Sequence, residues 1–190
     1  RSVLLSPGDD PEKLRKAPEP DADVVVMDLE DAVVPTEKPA ARELVRNALA
    51  DVVPADCEVC VRVNPVGSGA ADDVAVALDG PAPDSVMLPK TGTAADVSRL
   101  ATLLADTGLD CPVLALVESA AGVLSAPTIA AAEATGALVF GADDLAADVG
   151  ATRTVGVEEV ACARQRIVLA ARAAGVTPID THYPNYTDDE

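Results

Sequence analysis

Seven apolar runs recur along the chain, and each one ends in charged or polar side chains. The clearest region is residues 113–145, where VLALVE is followed by an Ala-rich segment of helical length and then by GALVFGADD. Apolar runs without alternating polar positions are typical of strands that are buried on both faces of a parallel sheet. The segments between the runs are long enough for helices, so the pattern predicts a series of βα units.

The predicted strands are short and the predicted helices separate them. The strands lie in the segments RSVLLS, VVVM, CEVCVRV, SVML, VLALV, GALVF and VTPI. The helices are expected at residues 11–16, 37–49, 70–78, 94–106, in the Ala-rich segment after Glu118, and at 157–174. Thr36 and Thr93 are candidate N-caps, and Gly175 is a candidate C-terminal cap.

Charged and polar residues of both signs gather where the strands end. They are Asp28, Glu30, Arg62, Asn64, Lys90, Glu118, Asp144 and Asp180. A (β/α)₈ TIM barrel explains this placement, because its active site is built at the carboxyl ends of its strands. We therefore predict an α/β fold with a TIM barrel in a single domain over residues 1–190. A complete barrel typically needs ~250 residues, so we expect the last strand and the C-terminal helices to be missing from this chain.

Two of the strand ends carry carboxylates that could share a cation. Glu118 follows the fifth apolar run, and Asp143 and Asp144 follow the sixth. Adjacent strands lie about 4.8 Å apart, so Glu118 and one of the two aspartates can reach the same ion. Mg²⁺ suits such a pair, because it takes one or two carboxylates and leaves positions for water or substrate oxygens. The alternative is that both carboxylates cap the helices that follow them.

Three other side chains are candidates for chemistry. Arg62 could stabilise negative charge on a substrate oxygen or pair with a carboxylate such as Glu30. Lys90 could form a Schiff base, although the carboxylate pair favours a role in positioning anions. His182 is the only histidine, and a lone histidine near a chain end is more often incidental. The absence of a G-x-S-x-G motif argues against a Ser-His-Asp hydrolase.

Charge and composition narrow the function classes. The formal net charge is −18, which argues against nucleic acid as a partner. The acidic residues are spread over the chain, as in a protein from a salt-adapted cell whose self-repulsion is screened by salt. We see neither a transmembrane run nor a signal peptide, and the start at Arg1 suggests a trimmed N-terminus. The spacing of Cys57 and Cys60 on a strand is a poor geometry for zinc, so we expect reduced thiols.

Seven segments together resemble the citrate lyase β-subunit-like family of the HpcH/HpaI aldolase superfamily. They are RSVLLSPG, DVVVMDLEDAV, VRVNP, VMLPK, LALVESAAGVL, VFGADDLAADVGA and RIVLAARAAGVTPID, in the family's order. The resemblance covers essentially the whole chain. It implies a TIM barrel, usually a homotrimer or hexamer, that uses one Mg²⁺ per site to cleave or form C–C bonds in short acyl-CoA thioesters. Citryl-CoA, malyl-CoA and citramalyl-CoA are such substrates, and the products are a 2-oxoacid and acetyl-CoA.

The resemblance also implies roles for individual residues. Glu118 of the LVES motif and Asp144 of the GADDL motif hold the metal and with it the substrate. Arg62 contacts the substrate and the forming enolate, so Arg62 and Glu118 are the expected catalytic residues. A further group is expected at the rim or near the CoA end: Pro7, Gly8, Lys13, Asp28, Glu30, Asp31 and Lys90.

We therefore expect a cytoplasmic, Mg²⁺-dependent acyl-CoA lyase. Three alternatives stay open: a thioesterase on the same scaffold, a CoA-free aldolase for 2-oxoacids, and a non-catalytic CoA-binding subunit of a lyase complex. In several relatives a C-terminal segment of a neighbouring subunit supplies an aspartate that acts as acid and base. This chain ends at Glu190, before that segment, so the proton-transfer residue is unassigned.

Overall fold

Seven parallel strands form one sheet in the computed structural model, which describes residues 2–17, 22–51, 57–80, 82–154 and 156–182. Each strand pairs with the next one along the chain, so β1 and β7 form the two ends of the order. The strands are β1 (Val3–Pro7), β2 (Val24–Asp28), β3 (Glu58–Arg62), β4 (Ser85–Leu88), β5 (Val113–Val117), β6 (Thr135–Phe140) and β7 (Thr177–Ile179). The predicted α/β class is confirmed, and the curled parallel sheet corresponds to a partial TIM barrel.

Helices connect the successive strands. They are α1 (Pro11–Lys16), α2 (Lys38–Asp51), α3 (Ala70–Ala77), α4 (Ala94–Asp106), α5 (Ala120–Ala130), α6 (Ala142–Asp148) and α7 (Ala161–Ala174). The caps predicted at Thr93 and Gly175 are confirmed: Asp96 accepts hydrogen bonds from Thr93, and Gly175 closes α7 with φ of 79°.

Three details of the predicted helices are wrong. Helix α2 begins at Lys38, so Glu37 rather than Thr36 directly precedes it. The helix expected at 157–174 is interrupted, because Val157 has φ of 59° and a 3₁₀ helix (Glu158–Val160) comes before α7. The helix expected after Asp144 begins earlier, because α6 starts at Ala142 and includes Asp144 in its first turn. The Pro-rich turn at residues 17–23 lies largely outside the described residues.

The sheet separates two apolar clusters. The larger one fills the space between the sheet and the helices, with buried side chains such as Val61, Leu100 and Ile129. The smaller one lies on the other face of the sheet, inside the curl, and includes Val26, Leu116 and Val139. Strands buried on both faces explain why the sequence shows continuous apolar runs instead of alternation.

Strand register sets which residues meet at the carboxyl edge. Asp28 pairs directly with Arg62 across β2 and β3. Val117 pairs with Phe140 across β5 and β6, so Glu118 and Gly141 come next to each other as the chain leaves the two strands. These two junctions form the two sides of the candidate site.

Two further properties bear on the sequence interpretation. Among the described residues no helix is long and apolar enough to cross a membrane. Cys57 precedes β3, whereas Cys60 is buried in the small inner cluster, where burial raises the pKa of its thiol to about 12. A thiol in that state is a poor metal ligand or nucleophile.

Candidate active site

A cavity of about 710 Å³ opens at the carboxyl edge of the sheet. Its walls include Arg62, Glu118 and Asp144, together with the exposed carboxylate of Asp31. Its floor is apolar, with side chains such as Leu116. Active sites of barrel proteins lie at this edge, and the volume falls within the range of small-molecule sites.

Arg62 is fixed on one side of the cavity by a two-pronged ion pair. Its Nε and Nη2 donate to the two carboxylate oxygens of Asp28 at 2.7 and 2.6 Å, and the in-register pairing of β2 with β3 makes this contact possible. Asp28 also accepts the backbone N–H groups of Glu30 and Ala32 at 2.8 and 3.0 Å. Its oxygens are therefore fully used within the protein, and Asp28 serves to orient Arg62.

Glu30 lies between the two cationic residues of the site. Its side chain is 4% exposed, with Arg62 Nη1 at 3.2 Å and Lys90 Nζ at 3.1 Å. Burial raises the pKa of Glu30, while the charges of Arg62 and Lys90 lower it. The contact with Arg62 lacks hydrogen-bond geometry, and Glu30 Oε2 accepts no hydrogen bond among the described residues. This buried oxygen remains available to a ligand or a proton.

The ammonium group of Lys90 lies among four carboxylates. Its Nζ is 2.9 Å from Asp144, 3.1 Å from Glu30, 3.6 Å from Asp31 and 4.0 Å from Glu118. Burial opposes the charged form of Lys90, but hydrogen bonds to Asp144 and Glu30 outweigh this effect and raise the pKa of the ammonium. A charged ammonium is a poor nucleophile, so this environment disfavours the Schiff-base alternative.

Glu118 is held at the end of β5 by backbone and by close packing. Its Oε1 accepts the backbone N–H of Lys90 at 2.7 Å. On the other side lies Gly141, where a Cβ atom would come within 2.6 Å of Glu118 Cβ and 2.8 Å of its Oε2. Burial raises the pKa of Glu118 to about 7, although the N–H and ammonium groups of Lys90 lower it. A further cation bound beside Glu118 would favour the charged form of this carboxylate.

The two adjacent aspartates of α6 have different neighbours. Asp144 contacts Lys90, whereas Asp143 pairs with Arg153 at 2.9 Å and with His182 at 3.2 Å. Of these two aspartates, Asp144 is therefore the one that shares the Lys90 ammonium with Glu118. This arrangement agrees with the choice of Asp144 over Asp143 that the resemblance implies.

The alternative that Glu118 and Asp144 are helix caps is wrong. The N-cap of α5 is Ser119, whose side chain accepts the N–H of Gly122 at 3.1 Å. The N-cap of α6 is Gly141, and Asp144 lies inside the first turn of that helix.

A buried polar network behind the site was missed by the sequence interpretation. Asp73, which is fully buried, accepts hydrogen bonds from Arg42 Nε and from the backbone and side-chain nitrogens of Asn64. Asn64 in turn donates to the carbonyl of Leu29, and Lys38 donates to the carbonyls of Leu29 and Glu30. The network links α2, α3 and the loop after β3 to the segment that carries Glu30. In the sequence, the only indication of this network was Asp73 of the ADDV segment, because a charged residue on the apolar face of a predicted helix needs partners.

The remaining predicted residues lie at different distances from this centre. Pro7 ends β1, and the N–H of Gly8 donates to the carbonyl of Asp28 at 2.8 Å, so this turn adjoins the Arg62 side of the site. Lys13 is exposed on α1 and pairs with Asp10 at 3.5 Å instead of with the cavity. Asp180 lines the cavity but pairs with Arg164.

The residues present fit a hard divalent cation. Among the described residues there is no cluster of three or more His, Cys, Asp or Glu side chains arranged to hold a metal. Mg²⁺ does not require one, since it commonly takes one or two carboxylates and fills its other positions with water or substrate oxygens. Glu118 and Asp144 already share a cation in the form of the Lys90 ammonium, and the room that Gly141 leaves accommodates the carboxylate of Glu118.

Comparison with known proteins identifies relatives along the entire chain. The model of the HpcH/HpaI aldolase/citrate lyase family matches residues 1–190. A citrate lyase subunit beta-like protein of Deinococcus radiodurans is 37% identical, over 100% of this chain and 68% of that protein. Human mitochondrial citramalyl-CoA lyase is 34% identical over 99% of this chain and 60% of its own length. A (3S)-malyl-CoA thioesterase of Cereibacter sphaeroides is 34% identical over 100% and 65%, respectively. The chain thus spans between 60 and 68% of these relatives.

The fold has a close counterpart among solved structures. The protein CitE of Mycobacterium tuberculosis, in complex with magnesium, acetoacetate and coenzyme A, superposes with a TM-score of 0.84 at 37% identity. The match covers 98% of this chain and 67% of that structure. Sequence and fold agree along the whole described chain, and the chain therefore belongs to the HpcH/HpaI aldolase/citrate lyase family.

Proposed function

We propose that the protein is a Mg²⁺-dependent lyase that cleaves or forms a C–C bond in a short 3-hydroxyacyl-CoA thioester. The observation that carries this proposal is the meeting of Glu118 and Asp144 around one cationic group, with Arg62 on the wall of the same cavity. Citryl-CoA, malyl-CoA and citramalyl-CoA are the candidate substrates, and each would give a 2-oxoacid and acetyl-CoA.

The side chains of the site would have two roles, metal binding and stabilisation of negative charge. Glu118 and Asp144 would hold the Mg²⁺ ion, which when bound would supply Lewis-acid polarisation of a carbonyl oxygen. Arg62 is oriented in advance by Asp28, and its Nη1 lies beside Glu30 at the cavity. As the C–C bond breaks, negative charge develops on the thioester oxygen, and a fixed guanidinium can stabilise it without reorganising.

Similar proteins support this assignment. The relatives include a citrate lyase subunit beta-like protein and a citramalyl-CoA lyase. The structural counterpart from M. tuberculosis was solved with magnesium, acetoacetate and coenzyme A together. These ligands are a divalent cation, a 3-oxoacid and coenzyme A, so that structure holds together the metal, an oxoacid and the CoA moiety on which the proposed reaction depends.

The first test is direct binding. We expect calorimetry in high KCl to show that Mg²⁺ binds and that glyoxylate or oxaloacetate then binds in its presence. A difference map should show the ion at Glu118 and Asp144 and the oxoacid near Arg62. If no metal binds at these carboxylates, the site has lost the chemistry of its family and the lyase assignment fails.

A second test removes the metal ligands one at a time. We expect Glu118→Ala or Asp144→Ala to abolish Mg²⁺-dependent turnover, because each variant removes one of the two carboxylates that would hold and orient the ion. Asp143→Ala is the matched control, since Asp143 is the neighbouring carboxylate that pairs with Arg153 and His182. Turnover that persists in either ligand variant would contradict the metal assignment.

A thioesterase is the second candidate, because a (3S)-malyl-CoA thioesterase is among the relatives. Hydrolysis of malyl-CoA consumes water and releases malate and free CoA, whereas C–C cleavage releases glyoxylate and acetyl-CoA. A thiol reagent that detects free CoA, combined with an assay for glyoxylate, separates the two reactions. Binding of ligands without any turnover would instead favour a non-catalytic CoA-binding subunit, and turnover of CoA-free oxoacids would favour an aldolase.

We also propose a setting for the protein. The net charge of −18 suits the high-salt cytoplasm of a salt-adapted cell, and the family resemblance implies a homotrimer or hexamer. Light scattering in KCl measures the oligomeric state directly.

A further inference from the structure

The Lys90 ammonium lies close to the position that a metal ion held by Glu118 and Asp144 would take. Its Nζ is within 2.9 Å of Asp144 and within 4.0 Å of Glu118. An Mg²⁺ ion binds oxygen at about 2.0–2.1 Å. An ammonium that kept its hydrogen bond to the same Asp144 oxygen would therefore stay a few ångströms from the ion. At such distances two positive charges repel each other strongly in a partly buried site.

The main chain of Lys90 is fixed independently of its side chain. Its φ of 52° lies in the left-handed region, which is uncommon for a residue with a side chain. Buried Thr91 holds this turn. Its N–H donates to the carbonyl of Leu116 at 3.1 Å, and its hydroxyl donates to the carbonyl of Leu88 at 2.8 Å. The Lys90 N–H can therefore keep orienting Glu118 while the four-carbon side chain moves.

The ammonium also has partners outside the proposed metal pair. Glu30 and Asp31 lie 3.1 and 3.6 Å from Nζ. The Lys90 side chain is 45% exposed, so it has room to turn. Lys90 can leave Asp144 without giving up every carboxylate partner.

We propose that Lys90 is an internal counter-cation that neutralises the metal-free site and moves away from Asp144 when a divalent cation enters. Lys90 thus makes two contributions. Its backbone N–H positions Glu118 in both states, and its ammonium competes with the metal and sets the affinity of the site. This inference rests on the metal site of the proposed function and adds a positioning residue to it.

Calorimetry with Mg²⁺ and with Mn²⁺, in the absence of any substrate, tests the competition. We expect Lys90→Met to bind the divalent ion at least about tenfold more tightly than the wild type, because the competing charge is gone. Lys90→Arg, which keeps the charge, should stay near the wild type. Lys13→Met is the matched control for the change in net charge, since Lys13 is an exposed lysine outside the cavity.

The outcomes are distinct. Equal affinity in Lys90→Met and the wild type would show that the ammonium is not displaced, and weaker affinity would show that it supports the metal; either result overturns the exchange while leaving the metal site intact. If none of these proteins binds a divalent ion, the metal site of the proposed function fails, and the exchange fails with it.

A second measurement needs no substitution at the site and does not depend on whether Lys90→Met folds. The chain has four lysines, Lys13, Lys16, Lys38 and Lys90, so the side-chain NMR signals of lysine labelled at Cε and Nζ can be resolved. We expect Mg²⁺ to shift the signal of Lys90 and to leave those of exposed Lys13 and Lys16 unchanged. An unchanged Lys90 signal under conditions where calorimetry shows Mg²⁺ bound would overturn the proposal.

Discussion

Arg62 shows how a single side chain at this site depends on its geometry. Its planar guanidinium forms two parallel hydrogen bonds to Asp28 and presents Nη1 beside Glu30. A lysine carries the same charge but cannot satisfy both oxygens of Asp28 while also reaching Glu30. We therefore expect activity to depend on the planar geometry of the Arg62 guanidinium and not on its charge alone.

We predict that Arg62→Lys lowers kcat/KM at least about 10²-fold, because a transition-state charge contact is lost. Steady-state kinetics measures kcat/KM, and thermal unfolding shows whether the variant is as stable as the wild type. Arg46→Lys is the control, since Arg46 forms an exposed pair with Glu43. Normal turnover of Arg62→Lys would remove Arg62 from its proposed role.

Glu118 gives a pH-dependent prediction for the metal-free protein. Burial raises its pKa from an ordinary value of 4.5 to about 7. A group with a raised folded-state pKa stabilises the protein fully below its unfolded pKa, and this contribution is lost as the pH rises through the folded pKa. Without divalent ions, the wild type should therefore lose about 1–3 kcal/mol of stability relative to Glu118→Gln between pH 4.5 and 7.

Denaturant unfolding of both proteins at several pH values checks this prediction. The comparison cancels the titration of the other carboxylates, and Glu133→Gln is the control at an exposed position. A stability difference between wild type and Glu118→Gln that does not change with pH would mean that Glu118 titrates normally.

At the scale of secondary-structure elements, the contact between the ends of β5 and β6 decides whether the site can form. Their register brings Gly141 beside Glu118, and a Cβ at position 141 would lie 2.6 Å from Glu118 Cβ, a distance that forces a shift. The backbone of Gly141 has φ of −100°, which any residue can adopt. The glycine is therefore required by space and not by backbone conformation.

We predict that Gly141→Ala moves the Glu118 carboxylate and weakens Mg²⁺ binding at least about tenfold. It should also cost about 1–3 kcal/mol of stability through overpacking. Calorimetry and denaturant unfolding measure the two effects. The control is Gly92→Ala, where the nearest atom to an added Cβ is Asp96 Oδ2 at 3.7 Å. Unchanged metal affinity in Gly141→Ala would show that Glu118 has room to adjust.

Elements of this fold differ in how far the sequence reveals them. All seven strands were predicted from their apolar runs, and burial on both faces explains these runs for the inner strands β2 to β6. Their carboxyl ends were predictable for the same reason, since Arg62 and Glu118 interrupt otherwise apolar segments. The start of helix α6 and the separation of the 3₁₀ helix from α7 were missed, because both helices are too short for periodicity to fix their bounds.

The sequence predicted which residues belong to the site better than it predicted the contacts between them. The sequence indicated Lys90 as a rim residue, but it could not show that a left-handed turn directs the ammonium into four carboxylates. The link from Asp73 to Asn64 and Arg42 depends on how α2 and α3 pack on the sheet. Such contacts depend on tertiary packing, which a single sequence does not specify.

At the scale of the whole molecule, the net charge of −18 is the dominant property. The acidic side chains repel one another across the surface, and several of them also converge on the cavity around Lys90. Mobile ions weaken this repulsion, since the Debye length falls from about 30 Å at 0.01 M salt to about 3 Å at 1 M. The folded state, which is more compact than the unfolded chain, gains most from this screening.

We therefore predict that the melting temperature rises by several degrees between 0.01 and 1 M KCl, since a gain of about 1 kcal/mol shifts the melting temperature by about 2–4 °C in a domain of this size. Calorimetry or fluorescence-monitored melting measures the change. The same protein in an uncharged osmolyte at matched osmolality is the control, because osmolytes stabilise proteins through exclusion from the surface and not through screening. An equal rise in both solutions would mean that charge repulsion is not the cause. A melting temperature that KCl leaves unchanged would argue against a protein adapted to salt, because the protein would then be equally stable in dilute buffer despite its acidic surface.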